Sequence, residues 1–555
     1  MSTERNDESI RRKTTSDAGR RSKEGEMETL LIGIDAACAG VLDPLLESGS
    51  LPNLESLFET GVRCPLRSQI PPWTASAWPS LYTGVNPGKH GAYGFLTYDG
   101  YDWDVLNSTT VREHALWELL DRRGRSSVVV NVPVTHPPSE IDGAIVPGYT
   151  APEDPECHPA GVLDDVREAI GDYRLYPDRD ADQPGEYVAL VEQRGAAFRY
   201  LTERFDPDFG FVQFQNTDSV FHEYPEEEGM VEAIYEAVDE EIGAILETCD
   251  PGTVIVASDH GMGRYHGHEF RVNEFLAEEG YLETTTGGRG MPAWLPILED
   301  QLRDGVDDDG SRGTAAKAIA IASKAGITPS RVGRVLRTLG IEETVARHVP
   351  ATAIRAGNEQ VDFENSRAYL RSRIELGVRI NLEGREPDGI VRQDEYETVR
   401  EELIETLSAV RTPDGEPVFE DVAPRERYFH GPYTEDAVDV VTVPNGFDQF
   451  LSADLKGDLF GEPLEPWNHK LDGIIAIAGA GGSPPEGIDR AHLFDVAPTV
   501  LATMGIPTSD RMDGSVVAPI ESCGREEYPP YESEGKVETA DRGVENRLAD
   551  LGYLE

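Results

Sequence analysis

The chain has 555 residues, with 50 Lys and Arg against 103 Asp and Glu, and a formal charge of −53. Hydrophobic residues make up 39% and glycine adds 55 positions, enough to build a core, which excludes a disordered acidic chain. Phosphate backbones require clustered positive charge, so a broad nucleic-acid-binding surface, and duplex binding with it, is excluded too. Only 8 of the basic residues are Lys. Acid excess along the whole length with so little Lys predicts adaptation to high internal salt, where screening relieves self-repulsion.

The five cysteines, Cys38, Cys64, Cys157, Cys249 and Cys523, show no CxxC spacing. Neither a disulfide framework nor a structural zinc cluster is expected. No apolar run approaches the ~18 residues of a membrane span. Arginine pairs at Arg11-Arg12 and Arg20-Arg21 are followed by Ser-Lys-Glu-Gly-Glu rather than by an apolar signal segment. Residues 1–26 therefore read as a disordered charged tail. Met27 directly precedes the first strand-like run and is a second candidate initiator. The cytoplasm is the default location.

Residues 29–34 (TLLIGI) have the pattern of a buried parallel strand, ending at Asp35, and 52–60 read as a helix between Pro52 and Gly61. Further buried strands are expected at 127–134, 209–214, 253–258 and 473–478, with helical patterns at 112–121, 189–204 and 230–247. The alternation argues for an α/β fold with a mostly parallel sheet. Residues 285–314 look loop-like and 315–347 carry short helices; strand-like sequence resumes at 367–382 and 437–443, with an amphipathic helix at 395–410. The chain thus divides into a core at 27–284, an inserted cap at 285–450, more core at 451–520 and an acidic tail at 521–555. A last helix-like stretch lies at 542–553.

Ligands of open parallel sheets bind beyond the carboxyl ends of the strands. Asp35, the pair Asp259 and His260, and Asp218 all follow strand-like runs, while His469 lies just before one. Asp218 and His222 are spaced i, i+4, which places both on one helix face as paired metal ligands require; alone, such a pair reads more simply as a surface ion pair. Thr74 stands after two prolines where a helix over 75–82 can begin. An N-cap hydroxyl is the simple reading of that position. A nucleophile also suits it, since both a developing alkoxide and an incoming phosphate gain from a helix N-terminus.

Taken together, these segments resemble the type I phosphodiesterase/nucleotide pyrophosphatase branch of the alkaline phosphatase superfamily. The likeness rests on Asp35 at a strand end, on Thr74 followed by TGVNPGKHG (83–91), on Asp218-x-x-x-His222 and on SDHGM (258–262). NHKLDGIIAIAGAG (468–481), FDVAPTVLATMGIP (494–507) and MDG (512–514) extend it, in order, from about 29 to 515. The resemblance implies an alkaline-phosphatase-like three-layer sandwich with an inserted cap. It implies two divalent metal ions, zinc first and manganese as the alternative. Asp35, Asp259, His260 and the nucleophile Thr74 would hold one; Asp218, His222 and His469 would hold the other. Such a pair clamps the attacking and leaving oxygens of an in-line displacement.

The implied activity is hydrolysis of phosphate esters, as a phosphodiesterase acting through a phosphothreonine on a small-molecule or head-group substrate. A phosphomonoesterase or phosphonate hydrolase is the nearest alternative, followed by a phosphoryl-group transferase and a non-catalytic binding protein. The family's nucleotide pyrophosphatases carry an Asn three residues after the nucleophile, whereas this chain has Ala77, which puts nucleotide substrates in doubt. Ser76 is the fallback nucleophile. Cys64-Pro65-Leu66-Arg67 looks like a sulfatase motif but lies outside the nucleophile position. His90, His136 and His158 read as structural, and His266 and His268 as loop histidines. His469 poses a problem: before a parallel strand it would sit at the wrong end of the sheet, so either a loop carries it across the rim or that strand is antiparallel.

Overall fold

The computed structural model describes residues 27–177, 184–225, 229–286, 359–479 and 489–532, with Glu227, Gly535, Val537 and Val544. The expected tail at 1–26 and the expected helices at 315–347 lie outside the described residues, as does 542–553 apart from Val544.

Eight strands form the central sheet: β1 (Thr29–Ile34), β2 (Val62–Arg67), β3 (Ser127–Val130), β4 (Gly143–Val146), β5 (Phe209–Phe214), β6 (Thr253–Ala257), β7 (Asp472–Ala478) and β8 (Ala491–His492). Their order is β8-β2-β7-β6-β1-β5-β3-β4. Strand β7 runs antiparallel to both β2 and β6, and the other pairings are parallel. Alternate residues feed two cores. Leu31, Val129, Phe211 and Ile255 join one face; Leu30, Ile32, Val128, Val212 and Val256 join the other. Helices Thr74–Thr83, Leu116–Asp121 and Val496–Thr503 cover the first face, and Pro52–Thr60, Pro184–Phe205 and Met230–Cys249 cover the second. This is the three-layer arrangement. Each fully buried aliphatic contributes roughly 1.5–3 kcal/mol, so strands buried on both faces read as continuous apolar runs.

One strand limit differs from the sequence reading by several residues, and three strands of the sheet were not foreseen. β3 stops at Val130 rather than at residue 134, because Asn131 (φ 62°) and Val134 (φ 60°) take left-handed conformations that no ladder accepts. β2, β4 and β8 were not among the expected strands; β2 contains Pro65, and proline argues against a strand. Its neighbour β8 pairs only with Leu66 and Arg67, so among the described residues the far side of Pro65 needs no donor.

Of the expected insertion at 285–450, residues 285–286 and 359–450 are described. Thr284–Thr286 pairs with Glu359–Val361. A four-stranded antiparallel sheet follows in the order Ala368–Tyr369, Gly377–Ile380, Val440–Pro444, Phe419–Pro424. Helix Tyr396–Ser408 buries Val399, Leu403 and Leu407, spaced one turn apart. The first part of the expected acidic tail packs on the core: Arg525–Glu526 pairs with Thr508–Ser509, and the buried Tyr528 donates its hydroxyl to the Pro507 carbonyl at 2.8 Å.

Candidate active site

Asp35 directly follows β1, and its backbone N–H bonds the Phe214 carbonyl at the end of β5. Asp259 and His260 follow β6. Asp218 and His222 lie on helix Asn216–Glu223, which starts just past β5. His469 lies in strand Trp467–Lys470, which pairs antiparallel with Gly261–Arg264 and sets His469 opposite Met262. Because β7 is antiparallel, the residues entering it stand at the carboxyl rim. The topology therefore brings four chain regions to one edge.

Thr74 is the first residue of its helix and Trp73 is the N-cap, so the hydroxyl has no capping role. It lies 3.5 Å from His260 Nε2. That nitrogen is also 3.1 Å from Asp259 Oδ2 and 3.4 Å from Asp35 Oδ1. Asp218 Oδ1 lies 3.5 Å from His222 Nε2 and 3.8 Å from His469 Nε2. Ligand atoms of Asp218, His222 and His469 fall within 4.8 Å of one another, and so do those of Asp35, Asp218 and His260. Asp218 thus stands between the two groups, and Asp259 adjoins the second through His260. The rings of His260 and His469 stack at 3.9 Å.

Each imidazole is anchored through Nδ1. His260 bonds the Gly261 carbonyl at 3.0 Å, His469 the Pro72 carbonyl at 3.2 Å and His222 the Glu465 carboxylate at 2.6 Å. Anchoring of this kind makes Nε2 the atom that could ligate a metal ion. Asp35 is anchored likewise: Trp78 Nε1 and Gln213 Nε2 both donate to its Oδ2 at 2.9 Å, and Asn131 Nδ2 donates to Gln213 Oε1. Ala36 N–H reaches Asp259 Oδ1.

A model of the type I phosphodiesterase/nucleotide pyrophosphatase family matches residues 29–331. The chain belongs to this family. Phosphoester hydrolysis is the chemistry that membership gives it. No curated protein matches the chain. Three solved structures are similar. Phosphonoacetate hydrolase from Sinorhizobium meliloti 1021 in complex with phosphonoformate aligns over 86% of this chain and 96% of its own, at 17% identity and a TM-score of 0.50. Wild-type alkaline phosphatase PafA aligns over 90% and 100%, at 14% identity and 0.50. Murine ectonucleotide pyrophosphatase/phosphodiesterase 5 aligns over 89% and 98%, at 12% identity and 0.47. The first two show that the fold is alkaline-phosphatase-like.

The donor set of this family member suits divalent cations. Asp35 Oδ1, Asp218 Oδ1 and Asp259 Oδ2 are buried and lack a hydrogen-bond partner among the described residues. Each buried acceptor left so costs roughly 1–3 kcal/mol, and one oxygen from each of three aspartates facing three Nε2 atoms is a mixed O/N set. Burial, with Asp259 and Asp218 nearby, raises the Asp35 carboxyl well above its usual range. Burial disfavours a charged His222, yet Asp218 and Glu465 outweigh it and raise the ring to about 10. Burial lowers His469, and the neighbouring His260 and His222 add to this. Excess negative charge concentrated at buried carboxylates is what a bound cation relieves.

The other candidates lie elsewhere. Ser76 donates to the Ala92 carbonyl at 2.8 Å and accepts from Gln69 at 2.6 Å, so its hydroxyl is committed to structure. His90 is buried, accepts from Ala92 N–H and pairs with Ser80; burial lowers it to about 3. His158 bonds the Ile141 carbonyl, His268 pairs with Asp414, and His266 is exposed. Sequence reasoning missed the anchoring groups Gln213, Trp78 and Glu465. Gln213 had a signal, as the one polar residue of FGFVQF.

Proposed function

We propose that this chain is a metal-dependent phosphodiesterase working through a covalent phosphothreonine on Thr74. The observation that carries the reading is the Thr74 hydroxyl: uncommitted to capping, it opens a helix beside His260 and the Asp/His groups. Asp35, Asp259 and His260, with Thr74, would hold one divalent ion; Asp218, His222 and His469 would hold the other. Bound there, zinc (or manganese) would supply the positive charge that acidifies the hydroxyl and polarises the phosphoryl group. Thr74 attacks phosphorus, its bond forming as the bond to the leaving alcohol breaks, and water then releases the phosphoryl group from Thr74. The helix N-terminus favours the developing charge at that oxygen.

Ala77 offers no donor to a phosphoryl oxygen, which favours a phosphoester other than a nucleotide. The insertion is read as a cap that selects the leaving group. Among the described residues no helix is long and apolar enough to cross a membrane; we place the enzyme in the cytoplasm, at high salt. The test is a chromogenic substrate panel at molar salt with added zinc or manganese. Faster turnover of diesters is expected. Preference for monoesters or phosphonates moves the assignment to those classes, and a metal-loaded protein with no turnover of any leaves a binding protein.

A further inference from the structure

Of the three histidines at the site, two are anchored to backbone carbonyls and one to a charged side chain. His260 and His469 use the carbonyls of Gly261 and Pro72, whereas His222 gives Nδ1 to Glu465. Glu465 is in turn held through its other oxygen: Arg373 Nη2 donates to Oε1 at 3.0 Å. Arg373 comes from the inserted segment, on the short turn Arg373–Glu375, and is buried with its guanidinium 4.6 Å from the centroid of the Phe450 ring. Glu465 also stands four residues before His469, so one short segment supplies both a proposed ligand and the anchor of another.

We propose that Glu465 is a positioning residue for His222 and that Arg373 positions Glu465, so that the insertion helps to build one of the two metal-binding groups. The inference rests on the metal-dependent reading above. A carboxylate behind an imidazole fixes its tautomer and rotation and makes Nε2 a stronger donor, effects that a backbone carbonyl supplies more weakly. The Asp218/His222/His469 group is therefore the one whose affinity depends on an outer charge. The Asp35 group is oriented instead by the neutral Trp78 and Gln213.

The test is competition between the zinc-loaded full-length protein and a chromogenic chelator, at fixed high salt. Wild type should release two metals at high chelator. Glu465→Gln should weaken one of them by roughly 10- to 100-fold and leave the other unchanged. Arg373→Gln should weaken the same one by less; it keeps Glu465 in place and carries the test if the Glu465 variant does not fold. In a His222→Ala background, Glu465→Gln should have no further effect on affinity, which a merely structural role would not produce. Unchanged affinity, equal weakening of both metals, or full additivity with His222→Ala overturns the proposal and leaves the enzyme assignment standing. A folded wild type that takes up no metal overturns both.

Discussion

His260 stacks on His469, ring centroids 3.9 Å apart and planes 29° apart, although they stand 209 positions apart in the chain. The cause is the reversed strand β7. Its antiparallel pairing with β6 sets its beginning beside the end of β6, so the residues leading into β7 meet the residues leaving β6. His469→Ala should therefore remove a ligand from the Asp218 group alone. Metal analysis should find about one ion bound tightly per chain instead of about two, with folding retained. Loss of both ions, or of neither, would break the two-group assignment.

Thr74→Ala is expected to abolish turnover, by a thousandfold or more on the order of magnitude set by other nucleophile deletions, while metal content stays near that of the wild type. Ser76→Ala should keep the chemistry, because its hydroxyl is already spent on Ala92 and Gln69. Steady-state rates with a chromogenic diester decide this. A Thr74 variant retaining more than about a tenth of the activity would place the nucleophile elsewhere.

Local patterns made the core of this site legible. A strand buried on both faces must be apolar until it leaves the sheet, so Asp35 and Asp259 stand out at the ends of TLLIGI and TVIVAS. Helix geometry likewise puts Asp218 and His222 on one face. Glu465 was invisible for the opposite reason: it is one of 103 acidic residues, far from His222 in sequence, and only the folded chain joins them. The direction of β7 was equally beyond local reasoning, since an apolar run reads the same in either sense. Thr74 shows a subtler limit. Sequence allowed it as a cap, and helix register moved that role to Trp73.

The fold should depend on salt. At 0.01 M the Debye length is about 30 Å, against about 3 Å at 1 M, so the −53 charge is self-repulsive across the whole molecule at low ionic strength. Circular dichroism over a salt series should show cooperative folding at molar salt and progressive loss as salt is removed. Full folding without added salt would end the salt-adaptation reading and leave the active-site assignment untouched.

Asp439 should set part of the acid limit of stability. It is fully buried just before the strand Val440–Pro444 of the four-stranded sheet. Arg385 donates to both of its oxygens at 2.7 Å, Arg425 donates at 2.9 Å, and Tyr396 and the Ile380 N–H each donate at 2.7 Å. Burial opposes the charge, but Arg385, Arg379 and Arg425 outweigh it and lower the carboxyl from 3.8 to about 2. A group depressed in the folded state stabilises above its unfolded value and loses that contribution as pH falls. Here about 2 kcal/mol should be present above pH ~5, mostly lost by pH ~2 and gone by pH ~1. Asp439→Asn should be less stable at neutral pH by about 3–5 kcal/mol, since it removes the buried charge that Arg385 and Arg425 share. Its stability should also fall less steeply than that of the wild type between pH ~5 and ~2. Denaturant melts across that range at constant molar salt measure both effects, and parallel pH profiles for the two proteins would show that Asp439 does not hold its charge as the geometry requires.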